Sequence, residues 1–95
     1  MSEENARDLG FPPLAAFKSW AYSGVDPADQ LLKGPALSMP LALKRAGLRL
    51  DEVDLIDMHE AFAAQVLSIL AMLESDEFAQ EELAQAGAVL SLIHI

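Results

Sequence analysis

The spacing of apolar and charged residues divides the chain into helices and short extended segments. Residues 2–9 carry charges at four of eight positions and end before Gly10, a pattern typical of the tail of a surface helix closed by a glycine. In residues 34–46 apolar positions recur near helical spacing, two basic residues occupy the last turn, and Gly47 follows. A second helix is therefore predicted, with Pro40 either at its first position or at a kink in its first turns.

Two further helices are predicted in the second half of the chain. Residues 61–73 contain only two polar residues, Gln65 and Ser68, so this helix is apolar on almost every side and should be buried. Residues 74–88 are acidic and rich in alanine, which predicts a helix with a solvated face.

Two short segments have the composition of strands. Residues 14–23 combine apolar and aromatic side chains with few charges, and residues 55–58 form a short apolar run after a turn at 51–54. An Asp-Pro pair opens a loop over 26–33. The order strand, helix, strand, helix predicts an α/β fold in which helices cover a layered sheet.

Composition indicates a chain that buries surface against something outside itself. Its 95 residues make at most one domain, and 53% of them are hydrophobic, with a mean hydropathy of +0.25. This is more apolar than a small self-contained domain needs to be. The chain has no cysteine, which excludes disulfides and thiolate metal sites from it.

Charge is distributed unevenly along the chain. The net charge is −9, and every Lys and Arg lies before residue 50. Such an acidic second half repels phosphate backbones and anionic membranes, so we expect no nucleic-acid partner and no membrane insertion. No signal segment is seen and no apolar run reaches the ~20 residues of a bilayer span, so we expect a cytoplasmic protein.

His59 lies where an extended segment meets the apolar helix, a position at which α/β enzymes place reactive groups. His59-Glu60 invites comparison with the zinc motif H-E-x-x-H, but Ala63 stands where the second histidine belongs. We therefore expect no metal here. From the spacing alone, a histidine that only bonds locally at a helix start is as good an interpretation as a chemical role.

Residues 54–67, Asp-Leu-Ile-Asp-Met-His-Glu-Ala-Phe-Ala-Ala-Gln-Val-Leu, resemble the N-E-A-F or H-E-A-F motif in the C-terminal half of thiolases. The similarity continues in the same order through residues 2–15, the Asp-Pro-Ala-Asp-Gln-Leu-Leu run at 26–32, and residues 34–48. The histidine variant and the 26–32 run are most similar to the thiolase subunit of fatty-acid β-oxidation multienzyme complexes. By this resemblance, residues 1–89 are a partial thiolase C-terminal domain.

The resemblance implies both a fold and an activity. The fold is part of one C-terminal half of the thiolase fold, truncated in this chain. Thiolases are acetyl-CoA C-acyltransferases that cleave a 3-ketoacyl-CoA with free CoA, or run the reverse condensation. His59 is implied to be a catalytic residue on the oxyanion-hole side, acting directly or through a held water. Ala61, Phe62 and Leu31 are implied to line the tunnel for the pantetheine and acyl portions. CoA thioesters are the implied substrates, with no resident cofactor.

The family's pattern is incomplete in this chain. The nucleophilic cysteine, the second cysteine and the G-H-P histidine are all missing, so we expect residues 1–95 alone to be inactive. Family members are usually dimers or tetramers, and the similar subunits work beside a hydratase/dehydrogenase subunit. Residues 90–95 do not resemble the family, and we interpret them as an artefactual tail.

An alternative of a different class is a free-standing acidic helical binding module, such as an acyl-carrier-like protein. Its length and acidity would be similar. That class needs an Asp-Ser-Leu attachment serine at a helix start, and this tripeptide does not occur in the sequence.

Overall fold

The computed structural model describes residues 1–89, and these contain helices joined by long irregular segments. The helices are α1 (Glu3–Asp8), α2 (Gly34–Ala46), α3 (Ala63–Glu74) and α4 (Asp76–Glu82), with a short 3-10 helix at Leu50–Glu52 before α3. The helices predicted at residues 2–9, 34–46 and 61–73 are thus confirmed, within two residues at each end. None of the helices within residues 1–89 has the length and apolarity that a bilayer span requires.

Local capping explains where α1 and α2 begin and end. The Ser2 side chain accepts a hydrogen bond from the Asn5 N–H at 3.2 Å, which satisfies one of the free donors at the start of α1. Gly47 ends α2 in the left-handed conformation, with φ +68°. Pro35 lies in the first turn of α2 and Pro40 lies inside the helix, so Pro40 is not its first residue.

The core forms where α3 packs against α2 and α4. Ala36 of α2 and Ile69 and Leu73 of α3 are at most 1% exposed and make up its centre. Partly buried side chains surround this centre: Met39, Met58, Met72, Phe78 and Val89. The small Ala36 lets α3 approach α2 closely, and the unbranched methionines fill the irregular space at the edges.

The predicted β-α-β-α order is not confirmed, because residues 1–89 contain no strand. A strand needs a neighbour to complete its hydrogen-bond ladder, and neither 14–23 nor 55–58 pairs with another segment in the part of the chain described. Apolar side chains in both segments therefore stay exposed, among them Leu14 (98%), Phe17 (95%) and Leu55 (85%).

Residues 19–23 nevertheless run beside α2 in the opposite direction. The Ser19 and Ser23 hydroxyls donate to the carbonyls of Ala42 and Gly34, each at 2.8 Å. Because the earlier serine reaches the end of α2 and the later one its start, the segment is antiparallel to the helix.

The helix predicted at 74–88 is wrong in its extent, because α4 ends at Glu82. Ser75 separates α4 from α3, and its hydroxyl accepts from the Phe78 N–H at 3.1 Å. Ala84 has a positive φ of 51°, which a continuing helix does not tolerate. The Asp76 carboxylate then accepts from the Ala88 N–H at 2.8 Å, so the end of the segment folds back on the start of α4.

Candidate functional site

A groove of about 530 Å³ lies between the loop that precedes α2 and one side of α3, from Phe62 just before the helix to Met72 in its last turn. Leu31, Leu32, Phe62, Ile69 and Met72 give it a mainly apolar lining. Pockets of about 300–1,000 Å³ with apolar walls and a few polar groups are typical of small-molecule sites. The groove is therefore the candidate ligand site of residues 1–89.

The loop side of the groove is fixed by short-range polar contacts. The Asp26 carboxylate accepts a hydrogen bond from the Ala28 N–H at 2.9 Å, which forms an Asx turn over residues 26–28. Lys33 Nζ donates to Asp29 Oδ2 at 2.6 Å. This hydrogen bond raises the pKa of Lys33 and lowers the pKa of Asp29. The pair ties the two ends of the turn that carries Leu31.

The α3 side of the groove begins at Phe62. Phe62 is extended, with φ −146° and ψ 143°, and its carbonyl accepts from the N–H groups of Gln65 and Val66 at 3.1 and 3.3 Å. Its side chain cannot cap the helix, so it is free to line the groove and is 66% exposed. Four residues earlier, Met58 packs against the core and fixes the segment that leads to the helix.

His59 follows this anchored methionine and is exposed. It lies outside the lining of the groove, as does the exposed Ala61. Within residues 1–89 the His59 imidazole makes no hydrogen bond, with Glu60 or with any other group. The structure thus brings together two of the four site residues predicted from the sequence, Leu31 and Phe62. The roles predicted for all four stay predictions.

Polar groove residues were missed by the sequence prediction of the site. Gln30, Lys33, Gln65 and Ser68 share the lining with the apolar side chains. Gln65 and Ser68 are the only polar residues between 61 and 73 and lie three positions apart, so they share one helix face. Two polar residues on one face of an otherwise apolar helix are a signal that could have identified them.

The groove offers no metal site. Among residues 1–89 there is no group of three or more His, Asp or Glu side chains that could hold a metal ion. The chemistry open to the groove is recognition of a mainly apolar ligand by shape, with a few hydrogen bonds. A cysteine nucleophile would have to come from elsewhere, since the chain has no cysteine.

Comparison with known proteins gives consistent matches. The family model described as the thiolase C-terminal domain matches residues 11–94. A 3-ketoacyl-CoA thiolase of Serratia proteamaculans is 51% identical over 89 residues, which cover 94% of this chain and 20% of that protein. A 3-ketoacyl-CoA thiolase of Yersinia pestis matches with the same identity and coverage.

A solved structure gives the same result at the level of the fold. The acetyl-CoA acetyltransferase from Syntrophomonas wolfei matches with a TM-score of 0.69 and 34% identity, over 99% of this chain and 21% of that one. The chain thus spans about one fifth of the length of the relatives it matches. These matches favour a thiolase C-terminal domain over the acyl-carrier-like alternative.

Proposed function

Because this chain belongs to the thiolase family, we propose that it contributes part of the active site of a 3-ketoacyl-CoA thiolase. The complete enzyme acts in fatty-acid β-oxidation, as the resemblance of the 26–32 run and of the histidine variant of the motif suggests. In it, residues 57–62 supply an oxyanion-hole donor, and the groove between the α2 loop and α3 forms one wall of the tunnel for the thioester.

The observation that carries this proposal is the position of Leu31 and Phe62. These residues lie far apart in the sequence and were selected by family resemblance alone, yet both line the same groove. The groove has the volume and apolar lining that suit an acyl or pantetheine chain. Ala61, just before Phe62, completes this wall once the rest of the enzyme covers the segment.

His59 is the proposed catalytic residue. Cleavage of the bond between C2 and C3 of a 3-ketoacyl thioester leaves the electron pair on the acetyl thioester as an enolate, whose oxygen carries the charge. An imidazole N–H can donate to that oxygen directly or through a fixed water. One preorganised donor of this kind is worth about 3–4 kcal/mol of the barrier. In residues 1–89 His59 is exposed, so its orientation depends on the remainder of the enzyme.

The extended segments of residues 1–89 also depend on the rest of the enzyme. We propose that residues 14–23 and 55–58 are strands of the layered sheet, with partners supplied by the parts of a thiolase that this chain does not span. The support is the antiparallel run of residues 19–23 along α2 and the exposed apolar side chains beside it. Pairing would bury those side chains and satisfy the backbone groups.

Further properties of the complete enzyme follow from the same resemblance. We propose that it takes CoA thioesters without a resident cofactor and acts in the cytoplasm. It is a homodimer or homotetramer that works beside a hydratase/dehydrogenase subunit. Both cysteines and the G-H-P histidine come from outside this chain, so residues 1–95 alone do not catalyse.

A segment exchange tests the proposal. Residues 1–89 replace the matching segment of the Serratia proteamaculans thiolase, and thiolysis of acetoacetyl-CoA and of a longer 3-ketoacyl-CoA is measured. We expect the chimera to turn over, and residues 1–95 alone to match a blank without protein. A folded chimera that fails to cleave either thioester contradicts the proposal, as does turnover by the isolated chain.

A further inference from the structure

Residues 54–62, which lead into α3, are attached to the rest of the described structure by one side chain. Met58 is half-buried, whereas the other eight residues of this segment are exposed. Met58 packs against the buried core that α2 and α3 form. Within residues 1–89 no hydrogen bond joins residues 54–61 to another part of the chain. The packing of Met58 is therefore what holds this segment on the two helices.

His59 lies between two fixed points of the backbone. It directly follows Met58, and three residues later the Phe62 carbonyl accepts hydrogen bonds from the first turn of α3. Residues 55–60 contain no turn or bend, and along extended backbone neighbouring side chains point to opposite sides. Because Met58 points into the core, His59 points away from it and is exposed. The direction of the imidazole thus depends on the packing of the residue before it.

We propose that Met58 is a positioning residue, which sets the place of the His59 imidazole by packing against the core of α2 and α3. The inference rests on the proposed function and adds to it the contact through which the core orients the oxyanion donor. Met58 lies outside the lining of the groove, so it acts through His59 and not on the thioester. A catalytic group that is displaced by about 1 Å can lose about 10²-fold in rate, so this contact should be visible in turnover.

The substitution Met58→Ala tests this in the chimeric thiolase defined above. We expect kcat for 3-ketoacyl-CoA thiolysis to fall about 10- to 10²-fold, because the segment loses its anchor. KM should stay nearly constant, since the groove lining is unchanged. Met58→Leu should retain most of the activity, because leucine nearly conserves the volume. In a chimera that already carries His59→Ala, adding Met58→Ala should not lower kcat further, because a positioning residue acts only through the group that it positions.

Met39→Ala is the matched control. Met39 is also half-buried, packs against the same core and lies outside the groove lining. Its truncation should lower the melting temperature to a similar degree, but kcat should not change. Hydrogen–deuterium exchange gives a readout that needs no turnover. Met58→Ala should speed exchange in peptides that cover residues 57–62, and Met39→Ala should not. If Met58→Ala does not fold, Met58→Val makes the same comparisons with a smaller loss of packing.

Each outcome decides the inference. Equal kcat values for Met58→Ala and Met39→Ala refute it, and so does a further loss of kcat when Met58→Ala is added to His59→Ala. If His59→Ala lowers kcat and Met58→Ala does not, the proposed function stands while the inference fails. If the folded chimera does not turn over, the proposed function fails. Faster exchange of residues 57–62 in Met58→Ala alone then still supports the positioning of this segment, and unchanged exchange refutes it.

Discussion

Replacing Leu67 with alanine in the chimeric enzyme tests whether the exposed apolar surface of α3 is covered in a complete thiolase. In residues 1–89 Leu67 is 67% exposed, whereas Leu73 on the same helix is 1% exposed. If residues 1–89 were the whole structural unit, the two substitutions would differ greatly in cost. If the helix is apolar because other parts of the enzyme pack on it, replacing Leu67 with alanine should cost nearly as much stability as replacing Leu73.

The magnitude follows from the two exposures. Complete burial of a leucine side chain stabilises a protein by about 1.5–3 kcal/mol, so at Leu67 roughly two thirds of that, about 1–2 kcal/mol, remains to be gained. Leu→Ala at a fully buried position costs about 2–5 kcal/mol once the cavity is included. Leu73→Ala should therefore cost about 2–5 kcal/mol in the chimera, and Leu67→Ala should cost nearly as much.

Thermal unfolding followed by scanning fluorimetry measures both effects. At about 2–4 °C per kcal/mol for a domain of 150–250 residues, each variant should lower the melting temperature by at least ~4 °C. Leu73→Ala is the internal reference, because its site is buried already. A melting temperature within about 1 °C of the unsubstituted chimera for Leu67→Ala, beside a clear loss for Leu73→Ala, would refute the reasoning.

Two further predictions concern the loop and the helix end. Asp29→Asn should destabilise the chimera near neutral pH and lose this effect in acid. The hydrogen bond from Lys33 lowers the pKa of Asp29 in the folded protein. The stability that the pair contributes is therefore present above the pKa of Asp in the unfolded chain, about 3.9, and is lost as pH falls through the lower folded pKa. Because the pKa of Lys33 is raised, that contribution persists below about pH 10.4 and is lost as pH rises through the folded value. The measurement is the melting temperature of both proteins from about pH 2.5 to 8, a range that spans the Asp pKa of about 3.9. A difference in melting temperature that stays constant over this range would contradict the prediction. Gly47→Ala should lower stability by about 1–2 kcal/mol in denaturant unfolding, because φ is +68° at Gly47; no change would mean that α2 ends in another way.

Helices were predictable wherever local chemistry decides their ends. Gly10 and Gly47 mark the ends of α1 and α2 in the sequence, and both have a positive φ in the structure. The Ser2 cap at the start of α1 was not predicted. The end of α4 depends on the Asp76 carboxylate, which accepts from Ala88 twelve residues later. That contact is not visible in a pattern of helix formers, so the predicted helix over 74–88 was too long.

Strands and the groove depend on contacts between distant residues. Residues 14–23 have the composition of a strand, but a strand exists only when a second one pairs with it. Leu31 and Phe62 were selected by family resemblance, and only the packing of α3 against α2 places them at one groove. The sequence does mark Gln65 as a polar residue in an apolar helix. That its oxygen lacks a partner within residues 1–89 is visible only in the structure.

The central claim is that residues 57–62 bring an oxyanion donor to a thiolase active site. The most direct test is to replace His59 in the chimera and to measure turnover. We predict that His59→Ala lowers kcat for 3-ketoacyl-CoA thiolysis by about 10²–10³, the cost of one oxyanion donor, while KM stays nearly constant. His59→Asn should retain most of the activity, because its amide N–H can donate to the same oxygen. An alanine variant that turns over as fast as the unsubstituted chimera would contradict the account.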